Sequence, residues 1–330
     1  MEKIVVTGCA GSIGSRLVEA IQQKYPKAKI LAVDSNEEAL FFQQARDSSL
    51  NTEYVLGNIN STHLIDELTS FADHIYHCAA RKHVILCENS PDEAIKTNIL
   101  AVSSLVSAAL KNNVNKFIFT SSDKAVNPMS TMGITKLLGE RLVRSAHKNS
   151  IRTRTECRTV FASTRFGNVL GSNGSVVEIF KRQLSQGLPL TITDENMSRF
   201  VMTKAEAVKF VLKASDMAQG GEIFVPLMPV ISVIDLAQAM TEMLTTNTAA
   251  NVRFIGAKPG EKFYEELVTS EEMTRSVIQE DMVIIDGHPT EGTSQSKNSG
   301  AEVGLASNSE SYARLTVPEI KALLTQANVL

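Results

Sequence analysis

The glycine-rich segment after the first apolar run constrains the fold most, because it joins a strand, a tight turn and a helix. The run KIVVT is followed by Gly8, Gly11 and Gly14 in the spacing G-x-x-G-x-x-G, and an amphipathic pattern comes next. Glycines allow the backbone to turn tightly and to approach a pyrophosphate, which binds at the free N–H groups of a helix N-terminus. The spacing predicts a dinucleotide-binding unit, with Ser12 and Ile13 inside its loop.

An acid ends the second apolar run and bears on the choice of cofactor. Asp34 lies 20 residues after the last of these glycines, a spacing that suits a carboxylate accepting from both ribose hydroxyls. It would repel a 2′-phosphate, and residues 35–45 contain no Arg or Lys, so we expect NAD rather than NADP. Asn58 lies either beside the adenine or in a turn after the third strand. Ile59 and Ala79 complete the predicted cofactor-binding set.

The first 170 residues alternate apolar runs with amphipathic segments. Short runs that are β-branched or aromatic predict buried strands, and they are Ile4–Thr7, Ile30–Val33, Tyr54–Leu56, His74–Cys78, Phe117–Thr120 and Val160–Phe166. Helical patterns lie between them, for example Ile13–Gln23 and Glu93–Lys111. This alternation predicts an α/β fold with a doubly wound, Rossmann-like parallel sheet over residues 1–170.

The regular alternation of apolar runs and amphipathic segments ends after residue 170. Helical patterns and short strands mix there, namely Val176–Gln186, Leu190–Thr193, Lys204–Met217, Ile223–Val225 and Val233–Leu244. We expect residues 171–286 to form a smaller substrate-binding lobe, with the chain crossing back to the sheet. Residues 287–330 are expected to hold a flexible linker, rich in Gly, Ser, Asn and Thr over Gly287–Ser309, and then a helix at about Val317–Gln326.

Composition excludes several classes of function. The 330 residues carry a net charge of -3 without a basic stripe, which argues against nucleic acid as a partner. The four cysteines and six histidines lack metal-ligand spacing, so we expect no metal and reduced thiols in a cytoplasmic protein. The chain shows no signal-peptide pattern, and no stretch approaches the roughly 20 apolar residues of a membrane span.

The segment SSDKAVNPMSTMGITK carries the candidate chemistry. Ser122, Asp123 and Lys124 follow the strand KFIFT directly, at the sheet edge where doubly wound folds bind and react ligands. Met132 and Lys136 stand four residues apart, on one face of the following helix. A solvated Asp–Lys pair is the alternative, but the glycine loop places a cofactor at the same edge. We therefore expect a functional role for this segment.

Several blocks together carry a family resemblance. They include TGCAGSIGS, HCAARKHVILCENSPDEAIKTNIL, SSDKAVNPMSTMGITK, RFGNVLGSNGSV, ITDENMSRFVM and KPGEKFYEEL, and they run from Thr7 to Leu267. The chain resembles extended short-chain dehydrogenase/reductases, and among them the UDP-N-acetylglucosamine 4,6-dehydratases of the CapD-like polysaccharide-biosynthesis family. The resemblance implies oxidation at sugar C4 with a bound NAD, loss of water across C5 and C6, and return of the hydride to C6.

The resemblance also implies roles for the catalytic segment. Ser122 would hydrogen-bond the C4 oxygen and help to pass its proton, Asp123 would protonate the departing C6 hydroxyl, and Lys124, in its neutral form, would take the C5 proton. Lys136 would bind the nicotinamide ribose. Related enzymes usually have a tyrosine where Met132 stands; a thioether cannot carry a proton, so we expect Met132 only to pack against substrate or cofactor. One branch of the family has this methionine, which indicates relocated chemistry rather than lost activity.

The remaining implied contacts concern the substrate, a UDP-sugar. They are Lys82 and His83 near the sugar, Asn168 near the phosphates, and Arg199, Lys258 and Glu261 around the diphosphate and uridine ribose. The family usually has arginine where Lys258 stands, and lysine loses the bidentate fork. Asn98 either orients the active-site backbone or faces solvent. A C5-inverting dehydratase or epimerase and a non-catalytic NAD-binding sensor remain as alternatives, and a homo-oligomer is expected.

Overall fold

The computed structural model describes residues 1–152, 159–286 and 308–330, and fourteen strands lie within these ranges. They are β1 Lys3–Thr7, β2 Lys29–Asp34, β3 Thr52–Leu56, β4 His74–His77, β5 Lys116–Thr120, β6 Val160–Thr164, β7 Asn168–Val169, β8 Leu190–Ile192, β9 Ser198–Met202, β10 Ile223–Pro226, β11 Val230–Ser232, β12 Val252–Phe254, β13 Ser276–Gln279 and β14 Met282–Ile285. The six strands predicted in the first 170 residues are all present. Four of them begin one or two residues earlier than the apolar runs.

Nine of these strands form one large sheet in the order β13-β14-β10-β6-β5-β4-β1-β2-β3. All pairs from β3 to β10 are parallel, while β14 pairs antiparallel with β10 and with β13. The chain runs outward from β1 to β3 and then returns to β4 on the other side of β1. The crevice beyond the carboxyl ends of β1 and β4 is therefore the topological switch point, where such sheets bind ligands. The doubly wound prediction is confirmed.

Helices cover both faces of the large sheet. The helices of the described residues are α1 Gly14–Lys24, α2 Glu37–Arg46, α3 Thr62–Phe71, α4 Val84–Asn89, α5 Pro91–Ile95, α6 Ala101–Lys111, α7 Thr131–Arg152, α8 Val176–Ser185, α9 Lys204–Met217, α10 Val233–Leu244, α11 Ser270–Met273 and α12 Val317–Gln326. Apolar side chains of α1 and α9 pack on one face of the sheet, and those of α3, α6 and α7 pack on the other. Because helices bury both faces of the sheet, side chains on both sides of each strand are apolar, which explains the continuous apolar runs.

The predicted helix Glu93–Lys111 is a longer helical run with an irregularity. It begins at Pro91, and a π-helical turn over Lys96–Leu100 separates α5 from α6. Contrary to the expectation that no stretch approaches a membrane span, Pro91–Lys111 is long and apolar enough to be one, with a hydropathy of 1.2. Half of that window is buried inside the fold, where α6 packs against α3 and α7. The apolar residues of this run therefore pack in the protein core, against one face of the large sheet.

A second apolar core lies beyond the large sheet. Small sheets in the orders β11-β9-β7 and β12-β8 pack with α8, α10 and α12 around buried residues such as Phe180, Leu236 and Leu324. The helix α12 has the bounds expected from the sequence, and Thr316 and Glu319 form a capping box at its start. The predicted linker lies outside the described residues except for its last two positions, and the three-part division of the chain stays a prediction.

Candidate active site

The glycine loop forms a backbone cradle at the switch point. Gly8 has a φ of +71°, and a Cβ there would lie 2.5 Å from the backbone nitrogen of Ala79, which follows β4. A Cβ on Gly14 would lie 2.1 Å from the carbonyl oxygen of Gly8, so α1 starts directly against the loop. Only glycine fits either position, and the first turn of α1 faces the crevice between β1 and β4. The loop has the form of a pyrophosphate site.

Asp34 fastens this loop to the end of β2. Its Oδ2 accepts the Ala10 N–H at 2.9 Å, and its Oδ1 accepts the Asn36 N–H at 2.9 Å. A carboxylate has about four acceptor sites, so lone pairs remain for ribose hydroxyls. Asn58 is exposed, and its side chain accepts the Asn60 N–H at 3.0 Å in the turn after β3. A contact of Asn58 with the adenine stays a prediction.

The other predicted cofactor residues differ in exposure. Ile59 is buried in the core beside β2, and Ile13 packs partly buried at the start of α1. The Ser12 hydroxyl accepts the N–H of Asn173 at 2.9 Å, which ties the glycine loop to the segment after β7.

The predicted substrate residues Lys82 and His83 lie beside this segment. The Nζ of Lys82 donates to the carbonyl of the same Asn173 at 2.7 Å. The ring of His83 lies 2.6 Å from where a Cβ on Gly174 would stand. Lys82 and His83 are thus held beside the loop's outer edge.

Lys136 is a buried cation on α7. It is 6% exposed, and its Nζ donates to the carbonyl of Thr120 at 2.8 Å and lies 4.8 Å from the ring centroid of Phe119. Burial lowers the pKa of Lys136 to about 8. The neighbouring His77 is also buried, and burial lowers its pKa to about 3, so it adds no second positive charge. Lys136 is therefore a buried amine below the ends of β4 and β5, beside a neutral His77.

The segment after β5 places a hydroxyl, a carboxylate and an amine in contact. Asp123 is fully buried, and its N–H donates to the carbonyl of Phe166 at 3.1 Å, which fixes the backbone against the end of β6. Its Oδ1 accepts the Ser122 hydroxyl at 2.9 Å and the Lys124 Nζ at 3.1 Å. Its Oδ2 is buried without a protein partner. The Asp123 carboxylate thus has one buried oxygen without a protein partner and a second oxygen in contact with two proton donors.

Lys124 binds a second carboxylate that the sequence reasoning missed. Its Nζ lies 3.1 Å from Oε1 of Glu265 and 3.4 Å from Oδ1 of Asn168. Burial opposes the charge, but Asp123 and Glu265 outweigh it and raise the pKa of Lys124. The two carboxylates therefore favour the charged form of Lys124 in the structure, and the neutral form expected of a base at C5 stays a prediction. In the sequence, Glu265 is marked only by its place in the block KPGEKFYEEL, and the prediction from that block named Lys258 and Glu261.

Met132 packs against protein rather than facing open space. It is 3% exposed and forms a small apolar cluster with Cys87 and Ala94. Asn98, on the π-helical turn, is 2% exposed. Its side chain accepts the Arg81 N–H at 2.8 Å and donates to the Arg81 carbonyl at 2.9 Å, so it orients the active-site backbone and does not face solvent. The side chain of Met132 thus contacts Cys87 and Ala94, and a contact of Met132 with substrate or cofactor stays a prediction.

The predicted diphosphate residues surround the same segment. Arg199, on β9, is 7% exposed and donates to the carbonyls of Ser198, Lys262 and Phe263 at 2.7–2.9 Å. Its guanidinium therefore positions the backbone that leads to Glu265, and a phosphate contact stays a prediction. Glu261 accepts the Thr193 hydroxyl at 3.1 Å. Lys258 is exposed, beside Glu261.

Metal ligation has no support in the described residues, since no group of three or more His, Cys, Asp or Glu side chains there is arranged to hold an ion. The same sheet edge carries the glycine loop and the contacts among Ser122, Asp123 and Lys124. Residues 4–286 match the family described as "Polysaccharide biosynthesis protein". The chain belongs to this family.

Curated relatives carry different names. An uncharacterised membrane protein of Methanocaldococcus jannaschii is 38% identical over 99% of this chain and 96% of its own length. The capsular polysaccharide biosynthesis protein CapD of Staphylococcus aureus is 36% identical over 84% of this chain, which spans 47% of CapD. A UDP-glucose 4-epimerase of Rickettsia canadensis is 34% identical over 98% of this chain and 96% of its own length.

Solved structures share the fold. Pen from Bacillus thuringiensis matches with a TM-score of 0.90 and 34% identity, covering 100% of this chain and 98% of Pen. DesIV, a dTDP-glucose 4,6-dehydratase of Streptomyces venezuelae solved with NAD, matches with a TM-score of 0.69 and 20% identity over 79% of this chain and 86% of that one. These likenesses show that the chain shares its Rossmann-like fold with Pen and with DesIV.

Proposed function

We propose that this protein is an NAD-dependent 4,6-dehydratase that converts UDP-N-acetylglucosamine to a UDP-4-keto-6-deoxy-N-acetylhexosamine. The observation that carries the proposal is the contact of Ser122, Asp123 and Lys124 beside a buried methionine. A 4,6-dehydration needs a proton acceptor at the C4 hydroxyl, an acid at C6 and a base at C5. Three adjacent side chains supply these groups, whereas Met132 supplies none.

The cradle at the switch point fits a dinucleotide. A side chain at Gly8 or Gly14 would fill the space that a pyrophosphate needs, and Asp34 keeps free lone pairs for the adenosine ribose. The carboxylate disfavours a 2′-phosphate, which supports NAD over NADP. When bound, NAD supplies reversible hydride transfer with the sugar. Lys136, cationic below pH 8 and buried under the same edge, would hold the nicotinamide ribose.

The contacts of Asp123 give a balanced proton route. Ser122 accepts the proton of the C4 hydroxyl and passes its own to Asp123, whose Oδ1 lies 2.9 Å from the serine oxygen. Asp123 then donates that proton to the C6 hydroxyl, which leaves as water. The proton removed from C4–OH thus leaves with the C6 oxygen, and Lys124 handles only the C5 proton. No tyrosine is needed in this sequence of steps.

The substrate would enter over Asp123 and Asn168. Lys82 and His83 lie beside the glycine loop, and the turn that carries Lys258 and Glu261 packs at Gly260 against Val84, the residue after His83. Lys258 and Glu261 would meet the diphosphate and uridine ribose from this turn. The cysteines Cys9, Cys78 and Cys87 are free thiols, which supports a reducing compartment and hence a cytoplasmic reaction. The expected homo-oligomer stays a prediction.

A 4-epimerase is the second candidate, because relatives with that name match nearly the whole chain. A C5-inverting dehydratase shares the same groups. The test is incubation of the purified protein with UDP-N-acetylglucosamine in deuterated water, followed by mass spectrometry and proton NMR. We expect loss of one water and deuterium at C5, seen as loss of the H5 signal and collapse of the C6 methyl doublet. In product made in ordinary water and reduced with borohydride, the coupling of the new H4 to H5 distinguishes retention from inversion. A product of unchanged mass with inverted C4 would establish the epimerase. Unchanged substrate would refute the proposed substrate.

A further inference from the structure

Glu265 presents a carboxylate that the proposed reaction has not yet used. It is 1% exposed, its Oε1 meets the Lys124 Nζ at 3.1 Å, and its Oε2 is buried without a protein partner. A buried carboxylate with so few partners is costly to keep charged. Its presence beside the proposed base therefore calls for a functional explanation.

The backbone of Glu265 is fixed from several directions. Its N–H donates to the Ser309 hydroxyl at 3.0 Å, and its carbonyl accepts the Ser309 N–H at 2.8 Å. Ser309 is fully buried and also meets the Ser198 hydroxyl at 2.8 Å. Two residues further on, the carbonyl of Leu267 accepts from Arg165 at 2.9 Å. These anchors hold the carboxylate against Lys124 before any ligand binds.

The charges around Lys124 change during the proposed reaction. Asp123 faces it from its own loop, Glu265 faces it from the segment before α11, and Arg199 faces it from β9. In the resting site two carboxylates hold the ammonium. When Ser122 delivers the C4 proton to Asp123, one of these negative charges disappears. Glu265 is then the carboxylate that remains on Lys124, while Arg199 still opposes the charge of the ammonium. In this buried site the neutral amine and neutral acid become favourable.

We propose that Glu265 is a positioning residue for Lys124, holding its ammonium in the resting site and taking its proton once Asp123 is protonated. An N–H bond of Lys124 breaks and an O–H bond forms on Glu265. The neutral amine then takes the C5 proton, and the C5–H electron pair moves toward the C4 ketone as the C6 hydroxyl leaves. Both protons return by the same contacts when C5 is reprotonated. Oxidation at C4 thereby precedes activation of the base.

This inference rests on the proposed function, so its test has one readout that needs no substrate. Trace acetylation of Lys124 across a pH series, followed by peptide mass spectrometry, measures its protonation. We expect Glu265→Gln to lower the midpoint by about 1–3 pH units, the usual effect of one adjacent opposite charge. Glu266→Gln is the matched control, because Glu266 binds Asn127 instead, and we expect its midpoint to equal that of the wild type. An unchanged midpoint in Glu265→Gln would overturn the proposal.

The second readout is the single-turnover rate of water loss from UDP-N-acetylglucosamine as a function of pH. Without an internal acceptor, Lys124 must lose its proton to bulk water, so the rate in Glu265→Gln should rise about tenfold per pH unit below the pKa of Lys124. The wild type and Glu266→Gln should show a flatter profile. A loss of equal size at every pH would mean a structural role and contradict the proposal. Glu265→Asp, which keeps the charge, should restore the flat profile.

A wild type that fails to dehydrate this substrate would refute the proposed function alone. The acetylation midpoint would still decide whether Glu265 sets the charge of Lys124. If Glu265→Gln does not fold, Glu265→Asp supplies the same comparison with the wild type, because its shorter side chain lengthens the contact and should lower the midpoint by a smaller amount. An Asp variant with an unchanged midpoint would then overturn the proposal.

Discussion

Arg165, directly after β6, joins the catalytic helix to the segment that carries Glu265. It is fully buried, and its guanidinium binds both oxygens of Glu140 on α7 and both oxygens of Glu272 on α11, at 2.7–2.9 Å. Its fifth donor contact reaches the carbonyl of Leu267. Replacing Arg165 by Met would leave two buried carboxylates without a cation.

Removing one partner from a buried ion pair lowers the free energy of unfolding by about 3–5 kcal/mol. Because Arg165 binds two carboxylates, we expect Arg165→Met to lower it by about 5 kcal/mol. The unfolding entropy of about 2.1 cal/mol/K per residue gives about 0.7 kcal/mol/K for 330 residues. The Tm of Arg165→Met should therefore fall by about 7 °C at neutral pH, measured by circular dichroism.

The same loss should depend on pH. Burial favours the protonated form of Glu272, but its bonds to Arg165 outweigh this and lower its pKa below the ordinary value of 4.5. Its contribution is present above pH 4.5 and is lost as the pH falls through the lowered pKa. The difference in Tm between wild type and Arg165→Met should shrink as the pH falls below about 4.5, because the wild type then loses the contribution of Glu272.

Two further variants make this reasoning refutable. Glu140→Gln and Glu272→Gln, added to Arg165→Met, remove the unpaired charges and should recover part of the lost Tm. Arg16→Met breaks the exposed pair with Glu19 and should leave the Tm unchanged, because such surface pairs contribute little. The reasoning fails if Arg165→Met melts within about 2 °C of the wild type, or if the added glutamines lower the Tm further.

Four other variants or conditions test the site. Gly14→Ala should abolish retention of NAD, measured as nucleotide released on denaturation, because its Cβ would lie 2.1 Å from the Gly8 carbonyl oxygen. Met132→Leu should keep kcat within about threefold, since the thioether carries no proton; a hundredfold loss would contradict the proton route. The rate should fall above about pH 8 as Lys136 loses its charge, and Lys136→Met should lack this limb of the pH profile. Asn98→Ala should lower kcat even at temperatures where the variant is fully folded, because the Asn98 amide orients the Arg81 backbone. A variant whose lost activity is explained entirely by its unfolded fraction would argue against this.

The regular elements were largely readable because their signals are local. The helices Lys204–Met217, Val233–Leu244 and Val317–Gln326 have the expected bounds, and capping boxes mark the starts of the first and the last. The strands differ at their starts, since lysines such as Lys3 and Lys116 continue the backbone pairing outside the apolar core. The apolar pattern records burial, whereas the strand also includes paired residues that reach solvent.

Other features have no local signal. A π-helical turn such as Lys96–Leu100 follows from the packing of its neighbours, and the role of Asn98 depends on Arg81, 17 residues away. The short strand β9 is buried along its whole length, but its five residues do not alternate in polarity. Their placement depends on pairing with β7 and β11, which the sequence pattern does not specify.

The two halves of the site therefore differ in how far the sequence determines them. The cofactor cradle lies within one continuous unit from β1 to β2, so glycine spacing and one acid were enough to predict it. The proton-transfer cluster draws Lys124 from the end of β5, Asn168 from β7 and Glu265 from a segment 141 residues after Lys124, and pairing across such distances follows only from the packed fold. It follows that substitutions near Glu265 alter the acid–base chemistry while leaving the cradle unchanged.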